Sequence, residues 1–471
     1  MTVYPLLIAG QPVRTETSDA VVDPATGKLI GFAARAREAE VDAAVDAAAS
    51  AFPAWAADEA GCRAVLAAAA ARLRAHESEI AELLTREQGK PLRQAVAEVT
   101  HSAGILDAMA RFERQPESFA ADAGRSVQVI ERPYGVVAAI TPWNVPLLLL
   151  FHKIAPALRA GNSVVVKPSE HTPLSTLRVV ELLAEVFPPG VLNVIAGGGI
   201  TGALLASHPK VANVSFTGSV ATGRKIATAA AANFAPVTLE LGGNDPAIIL
   251  ADAPIKDIAE ALFWAAFANS GQICFAIKRL YVHESRHDEL VRHLADRIDR
   301  TVIGNGLDPA TELGPLTVTA QRDRVEQLVA EAEQGGARRV GGGRPLAEGN
   351  FLRPALLTHV DPASRLVVEE QFGPALPILS FSKVEDAIAA ANDTEFGLGA
   401  SVWTADAAAG AAVARQLDAG LVWTNSHMEV FPGTPKGGWK QSGIGYEGGR
   451  WGYERFVRAQ TALARPAPSA N

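Results

Sequence analysis

The sequence predicts an α/β protein built on two parallel sheets, and three observations carry that expectation. Its 471 residues exceed one ordinary core, since a domain takes ~100–200 residues. After residue 130, short β-rich runs alternate with helical segments, which is the pattern of βα units and a parallel sheet with covering helices. A second series of the same construction begins near Leu241.

Before the first series, Glu38–Arg74 and Glu77–Phe112 carry apolar residues at helical spacing in alanine-rich surroundings, so both read as long amphipathic helices. Gly135–Ile140, Ser163–Lys167, Val191–Ile195 and Val211–Phe216 read as strands, and 146–160, 173–187 and 199–207 as the helices between them. A nucleotide-binding domain is the natural expectation for such a series. In the second series Ala247–Leu250, Leu280–His283 and Leu376–Phe381 are the expected strands, with helices over Ile255–Asn269, His287–Val302 and Gln321–Gln334. Gly341–Pro345 and Phe431–Gly449 are expected loops, because glycine and proline punctuate regular structure. The stretches 116–133 and 454–464 are strand-like outside both series and suit arms that pair with another subunit.

Composition narrows the function. Hydrophobic residues are 48% and charged residues 20%, near the values for soluble domains, and the net charge of -8 comes with scattered lysines and arginines. No basic footprint for nucleic acid or membrane follows, so small-molecule chemistry is expected. The N-terminal residues lack the features of a secretory signal, and the apolar run Val145–Phe151 is too short for a membrane span. Two cysteines exclude a disulfide framework, and a reducing, cytoplasmic location fits. There is no HExxH or paired-histidine spacing, so no metal is expected, and no G-x-x-x-x-G-K-[ST] phosphate loop.

Several segments carry chemistry. Asn269-Ser270-Gly271-Gln272-Ile273-Cys274 puts a cysteine in a glycine-containing loop just after a helix. Such a cysteine is a nucleophile where its surroundings favour thiolate, although a lone cysteine is more often a small buried hydrophobe. Cys62, within an alanine-rich helix, takes the second reading. Glu240 lies in the apolar run before Gly242-Gly243; burial there would raise its pKa toward that of a general base, and a solvated edge residue is an equal alternative. Thr141-Pro142-Trp143-Asn144 ends a strand where ligands bind open sheets, and Asn144 either donates to an oxyanion or makes a turn before Pro146. Lys167 and Glu170 either hold the hydroxyls of an adenosine ribose or form a surface ion pair. Phe216-Thr217-Gly218-Ser219 opens a helix whose N-terminus suits a pyrophosphate, though it departs from the G-x-G-x-x-G fingerprint.

Together these motifs resemble the aldehyde dehydrogenase superfamily over nearly the whole chain: TPWN (Thr141–Asn144), KPSE (Lys167–Glu170), FTGS (Phe216–Ser219) with Gly223, LELGG (Leu239–Gly243), GQIC (Gly271–Cys274), EEQFGP (Glu369–Pro374) and KQSGIG (Lys440–Gly445). The resemblance implies an aldehyde dehydrogenase-like α/β fold of two Rossmann-like parallel-sheet domains plus a β-rich oligomerisation arm. Residues 1–115 and 134–240 would bind cofactor, 241–430 would form the catalytic domain, 116–133 and 454–471 the arm of a homodimer or homotetramer, and 431–453 would return to the interface. It makes Cys274 the nucleophile, Asn144 and the Cys274 N–H the oxyanion donors, and Glu240 the base that hydrolyses a thioester to the carboxylic acid.

The same resemblance assigns Lys167 and Glu170 to the adenosine ribose, Ser219 to the pyrophosphate, and Glu370 with Phe372 to the nicotinamide ribose and ring. Ile140, Thr141, Pro142, Trp143, Ser169, Gly198, Gly202, Phe216, Thr217, Gly218, Leu241 and Gly242 complete the implied cofactor contacts. Glu170 favours NAD over NADP, because a carboxylate accepts from a 2′-hydroxyl and repels a 2′-phosphate; NADP is the secondary cofactor. Glu447 matches a carboxylate of the proton path around the thioester.

The chain departs from the pattern at four places. Asn244 stands where lysine usually follows LELGG, Lys436 and Val145 replace aromatics of the substrate tunnel, and His152 stands where aromatic relatives often carry tryptophan. A tunnel that is more polar than usual follows, and with it a polar aldehyde or a semialdehyde drawn by Lys436 or His152; the alternative is that Lys436 points outward and the substrate is apolar. Two rival readings are a CoA-acylating enzyme, which Glu240 disfavours, and an inactive protein on the same fold, which the joint presence of Cys274, Asn144 and Glu240 disfavours.

Overall fold

The computed structural model describes residues 2–114, 117–121, 125–341, 349–431 and 433–465. Of the expected arm, residues 116, 122–124 and 466–471 lie outside the described residues, as do 342–345 of the loop at Gly341–Pro345 and residue 432 of the loop at Phe431–Gly449.

Two large sheets dominate. The first has eight strands in the order Gly443–Ile444, Val237–Glu240, Val211–Thr217, Val136–Ile140, Ser163–Lys167, Leu192–Val194, Leu6–Ile8 and Gln11–Val13. The strands from Val237–Glu240 to Leu192–Val194 are parallel, and the outer ones antiparallel. Val136–Ile140 and Ser163–Lys167 are buried on both faces, which is why valine runs without polar alternation formed strands there. The chain steps from Val136–Ile140 to Ser163–Lys167 on one side and later to Val211–Thr217 on the other. The carboxyl end of Val136–Ile140 is therefore the switch point where open sheets receive ligands.

The second sheet runs Arg338–Val340, Ala355–Thr358, Ala375–Phe381, Ile277–His283, Asp245–Ile249, Gly399–Trp403 and Leu421–Thr424, all parallel except Arg338–Val340. Alternation along Asp245–Ile249 sends Ile248 into the core on one face and Ala247 with Ile249 into the core on the other. Glu240 closes a strand of the first sheet, and Asp245 opens a strand of the second. The carboxyl ends of one sheet thus face the amino ends of the other across a short connection.

The helical region differs from expectation. The Glu38–Arg74 run is two helices, Glu38–Ala57 and Glu59–Ala75, divided at Asp58, whose side chain accepts from the Gly61 N–H as an N-cap. The second run splits into Glu77–Gln88 and Leu92–Arg111, because Gly89 is left-handed at φ 98° and Pro91 follows. Towards the C-terminus, Gly449–Glu454 is helical and the strand begins only at Val457. The expected loop at Phe431–Gly449 holds the short strands Trp439–Lys440 and Gly443–Ile444, the second of which pairs with Val237–Glu240. Arg125–Pro133 lies between Glu117–Ala121 and Val457–Ala464 in a separate antiparallel sheet, and Val457–Ala464 is exposed over nearly its whole length. Among the described residues no helix is long and apolar enough to cross a membrane.

Candidate active site

The loop that carries Cys274 is strained and heavily braced. Helix Ile255–Phe267 gives way to a turn in which Asn269, Ser270 and Gly271 have φ of 51°, 55° and 75°, a conformation costing about 1–3 kcal/mol at each non-glycine residue. The surroundings enforce it. Ser270 Oγ donates to Gly314 O at 2.7 Å, Gln88 Nε2 to Asn269 Oδ1 at 3.1 Å, and Gln272 Nε2 to Asn269 O at 2.9 Å. Gly271 has no alternative, since a Cβ would sit 2.4 Å from Gly373 O.

Asn144, at the switch point of the first sheet, is bonded into this loop from both sides. Its buried Nδ2 donates to Gln272 O at 2.8 Å, and its own carbonyl accepts from Asn269 Nδ2 at 3.0 Å and Lys90 Nζ at 3.0 Å. Lys90 pairs in turn with Glu98, whose Oε1 accepts the Leu147 and Leu148 N–H groups and so caps helix Pro146–Arg159. Nδ2 keeps a second hydrogen for another acceptor. The Cys274 N–H also has no acceptor among the described residues. Cys274 itself is partly exposed. Burial of the thiol pushes its pKa up to about 12; Lys278 and Lys436 pull it down and Glu240 and Glu370 push it further up. The group is thus held as a thiol and must lose its proton to become a nucleophile. Cys62 is fully buried, its Sγ 3.4 Å from Trp55 O.

Glu240 is an interior residue, not an edge one: its strand is flanked by Thr217 on one side and Gly443 on the other, and it is only 5% exposed. Its Oε1 has no hydrogen-bond partner among the described residues. Burial raises its pKa to about 8, the charge of Glu447 adds to the rise, and Lys436 and Lys153 oppose it. A carboxyl poised there exchanges protons near neutrality.

Glu447 has the opposite setting. Lys153 Nζ is 2.6 Å from its Oε1 and Lys436 Nζ 3.3 Å from its Oε2, all three side chains being buried. Burial works against the charge, but the two ammonium groups hold the pKa down at about 2. Lys153 also donates to Thr217 Oγ1 at 2.6 Å. Lys436 is held in place by an antiparallel bridge to Glu447. The outward-pointing alternative for Lys436 is therefore wrong: its ammonium turns inward to Glu447 because a buried charge needs a partner. His152 faces the same cluster; burial first, then Lys436, lower its pKa to about 3, so it is neutral and cannot act as the cation that draws an anionic substrate. Val145 immediately precedes the helix that bears His152 and Lys153.

The remaining motif residues gather along the carboxyl edge of the first sheet. Lys167, buried, donates to Gly197 O at 2.8 Å and lies 3.8 Å from Glu170 Oε2, while Glu170 is largely open to solvent. Burial lowers the Lys167 pKa and Glu170 offsets part of that. Gly198 and Gly202 border this pair, Cβ positions there lying 3.7 Å from Glu170 Oε1 and 3.6 Å from Lys167 Cδ, which is ordinary contact distance. Ser169 is buried and its hydroxyl accepts from the His171 N–H. Ile140, Thr141 and Pro142 end the switch-point strand, with the Thr141 N–H on Lys167 O at 3.1 Å. Phe216 covers Gly218, Thr217 meets Lys153, and Ser219 caps helix Val220–Ala231. Leu241 packs on Gly223, and a Cβ on Gly242 would lie 2.3 Å from Glu370 Oε2. Glu370 accepts the Gly243 N–H at 3.0 Å; burial raises its pKa and Lys278 opposes the rise. Trp143 and Phe372 meet edge to face at 5.4 Å. This set offers a carboxylate at each end and a helix N-terminus between, which suits the two riboses and the pyrophosphate of a dinucleotide.

Lys153, Lys278, Asp245 and His427 escaped sequence reading. Asp245 is buried and its pKa raised by burial to about 8, with Lys278 and the Gly399 N–H opposing the rise, and His427 Nε2 lies 2.6 Å from Phe275 O. Among the described residues no group of three or more His, Cys, Asp or Glu is gathered as for a metal.

Comparison with known proteins agrees across the chain. Residues 13–462 match the aldehyde dehydrogenase family. Aminoaldehyde dehydrogenase 1, peroxisomal, of Pisum sativum is 39% identical over 93% of this chain and 90% of its own. Phenylacetaldehyde dehydrogenase of Pseudomonas fluorescens is 39% identical over 98% and 95%. Among solved structures, betaine aldehyde dehydrogenase from Staphylococcus aureus in complex with NAD+ superposes with a TM-score of 0.95 at 34% identity, covering 99% of this chain and 95% of that one.

Proposed function

The chain belongs to the aldehyde dehydrogenase family, and from that premise we propose that it oxidises a polar aldehyde to the carboxylic acid with NAD, through a thioester on Cys274. The observation that carries the residue assignment is the meeting of three groups: a thiol with an unfilled N–H beside it, an Asn144 amide bonded to the same loop, and a buried carboxyl with a pKa near 8.

The Cys274 thiol gives its proton to solvent water as Sγ attacks the aldehyde carbon, and Glu240 is kept for the second half of the reaction. Asn144 Nδ2 and the Cys274 N–H then face the oxygen on which charge develops, where such donors contribute most. A bound NAD would supply the hydride acceptor for collapse of that adduct to the thioester. The thioester left on Cys274 is hydrolysed by a water that gives its proton to Glu240; the C–S bond breaks and the acid leaves. Lys167 and Glu170 would hold the adenosine ribose, Ser219 the pyrophosphate, and Glu370 with Phe372 the nicotinamide end. The open carboxylate of Glu170 favours NAD over NADP.

A polar substrate is supported by Lys436 and His152 where aromatics would make the tunnel apolar, although pairing of Lys436 with Glu447 argues against recognition of a carboxylate. A hydroxylated aldehyde should show a higher kcat/KM than an alkyl aldehyde of equal length; the reverse order overturns the substrate reading. Cys274→Ser should abolish turnover, and Glu240→Gln should keep the first burst of NADH and lose subsequent turnovers. If added CoA instead accelerates steady turnover and yields an acyl-CoA, hydrolysis is the wrong last step.

We also assign 1–115 and 134–240 to cofactor binding, 241–430 to catalysis, 431–453 to the interface between them, and 116–133 with 454–471 to an arm joining a homodimer or homotetramer. The exposed strand Val457–Ala464 supports the arm, and two unbridged cysteines support a cytoplasmic location.

A further inference from the structure

We propose that Lys278 is a positioning residue: by gripping the carbonyls on either side of the Cys274 N–H, it fixes the direction in which that N–H points. The inference rests on the reading of Cys274 as the nucleophile.

Lys278 is the second residue of strand Ile277–His283 and is almost completely buried. Its ammonium donates to Ile273 O at 3.0 Å, Cys274 O at 2.7 Å and Ala276 O at 3.2 Å. An ammonium has three hydrogens, and here three carbonyls of one turn receive them. Peptides in this chain are trans among the described residues, so the N–H of each unit points opposite to its C=O. With Ile273 O held by Lys278 and by the Ala276 N–H at 3.0 Å, the Cys274 N–H is turned away from them and left without an acceptor. That is the state in which it can receive a developing oxyanion.

The cation has a second effect at the same place. Its Nζ lies 3.7 Å from Glu370 Oε1, and its charge pulls the Cys274 thiol pKa down against burial. The groups that act on that thiol are Lys278 from its own loop and strand, Lys436 from the C-terminal segment, Glu240 from the first sheet, and Glu370 from the segment before Ala375–Phe381. Lys278 is the first of the favourable ones. Methionine would fill its volume with no donor, and arginine would supply charge through a planar fork that cannot converge on three carbonyls of one turn.

The test compares Lys278→Met and Lys278→Arg with the unaltered protein. Three quantities are read: the pH dependence of iodoacetamide alkylation at Cys274 without cofactor, the NADH burst per reactive thiol, and the thermal midpoint. Lys278→Met should shift the alkylation midpoint to higher pH and lower the burst by about tenfold or more, approaching the loss of an oxyanion donor, with kcat falling more than KM rises. Lys278→Arg should restore the alkylation profile and not the burst. A lower thermal midpoint with unchanged alkylation profile and burst would show a merely structural role and overturn the proposal. Should Lys278→Met fail to fold, a full burst in Lys278→Arg overturns it alone. A burst surviving in Cys274→Ser indicts the nucleophile assignment instead.

Discussion

Two buried charge clusters flank Cys274, and they differ in what their cations touch. On the side of the first sheet, Glu240 and Glu447 share Lys153 and Lys436, and both lysines sit on Glu447. Glu447 is therefore locked as an anion near pKa 2, while Glu240 is left to burial at about 8. On the side of the second sheet, Lys278 acts on both Glu370 and Asp245, with Arg324 also on the first and Arg279 also on the second, but the Lys278 ammonium bonds to three backbone carbonyls, and both carboxyls are raised. Cation placement, more than burial alone, decides which carboxyl carries a proton at neutral pH. The first cluster separates a fixed anion from a proton acceptor; the second keeps its carboxyls protonated more readily and its cation on the loop.

Changes that remove a partner should break this contrast, and the largest concerns Glu240. Glu240→Gln should lower steady turnover about 10²–10⁴-fold, the usual contribution of a general base, while the NADH burst persists; an unimpaired steady rate would reassign the base. Glu447→Gln should strand two buried ammonium groups and cost about 3–5 kcal/mol of stability, read by urea unfolding. A negligible loss would mean that the lysines find other partners. Lys436→Met should leave the fold intact and sharpen the contrast. Lys436 lowers the Glu240 pKa, so its loss should move the midpoint of the deacylation pH profile upward from about 8, and a downward move would refute the account. Asp245→Asn should have the smallest effect. The raised pKa of Asp245 makes its stabilising contribution full below about pH 4 and lost as pH rises through about 8. The thermal midpoint of the unaltered protein should then fall over that window relative to the asparagine variant.

The parts of the fold legible in the sequence were those in which burial leaves a compositional trace. Ser163–Lys167 and Val211–Thr217 are valine-rich because parallel strands are covered on both faces. Gly399–Trp403 is buried just as fully, yet its small residues leave no such trace, and the helix Ala407–Ala414 carries no polar face to mark a period. The strand Ile277–His283 was read only from Leu280, because Lys278 and Arg279 look like the polar end of a loop; both are buried, held by backbone carbonyls that no spacing rule reveals. The site motifs were legible through resemblance. Whether Glu240 is interior or at an edge depends on Gly443, distant in sequence, and the fate of Lys436 depends on a bridge to Glu447 inside a glycine-rich segment.

The left-handed run Asn269–Gly271 is braced by Gln88, Asn144, Gln272, Gly314 and Gly373, residues drawn from separate stretches of chain. Drift at any of these is felt at the thiol, so they are free to vary only together. His152 and Lys436 stand against Glu447 instead, from where the Lys436 charge still reaches the Cys274 thiol. Mutational robustness is thus low around the nucleophile, whose loop depends on braces from several distant parts of the chain.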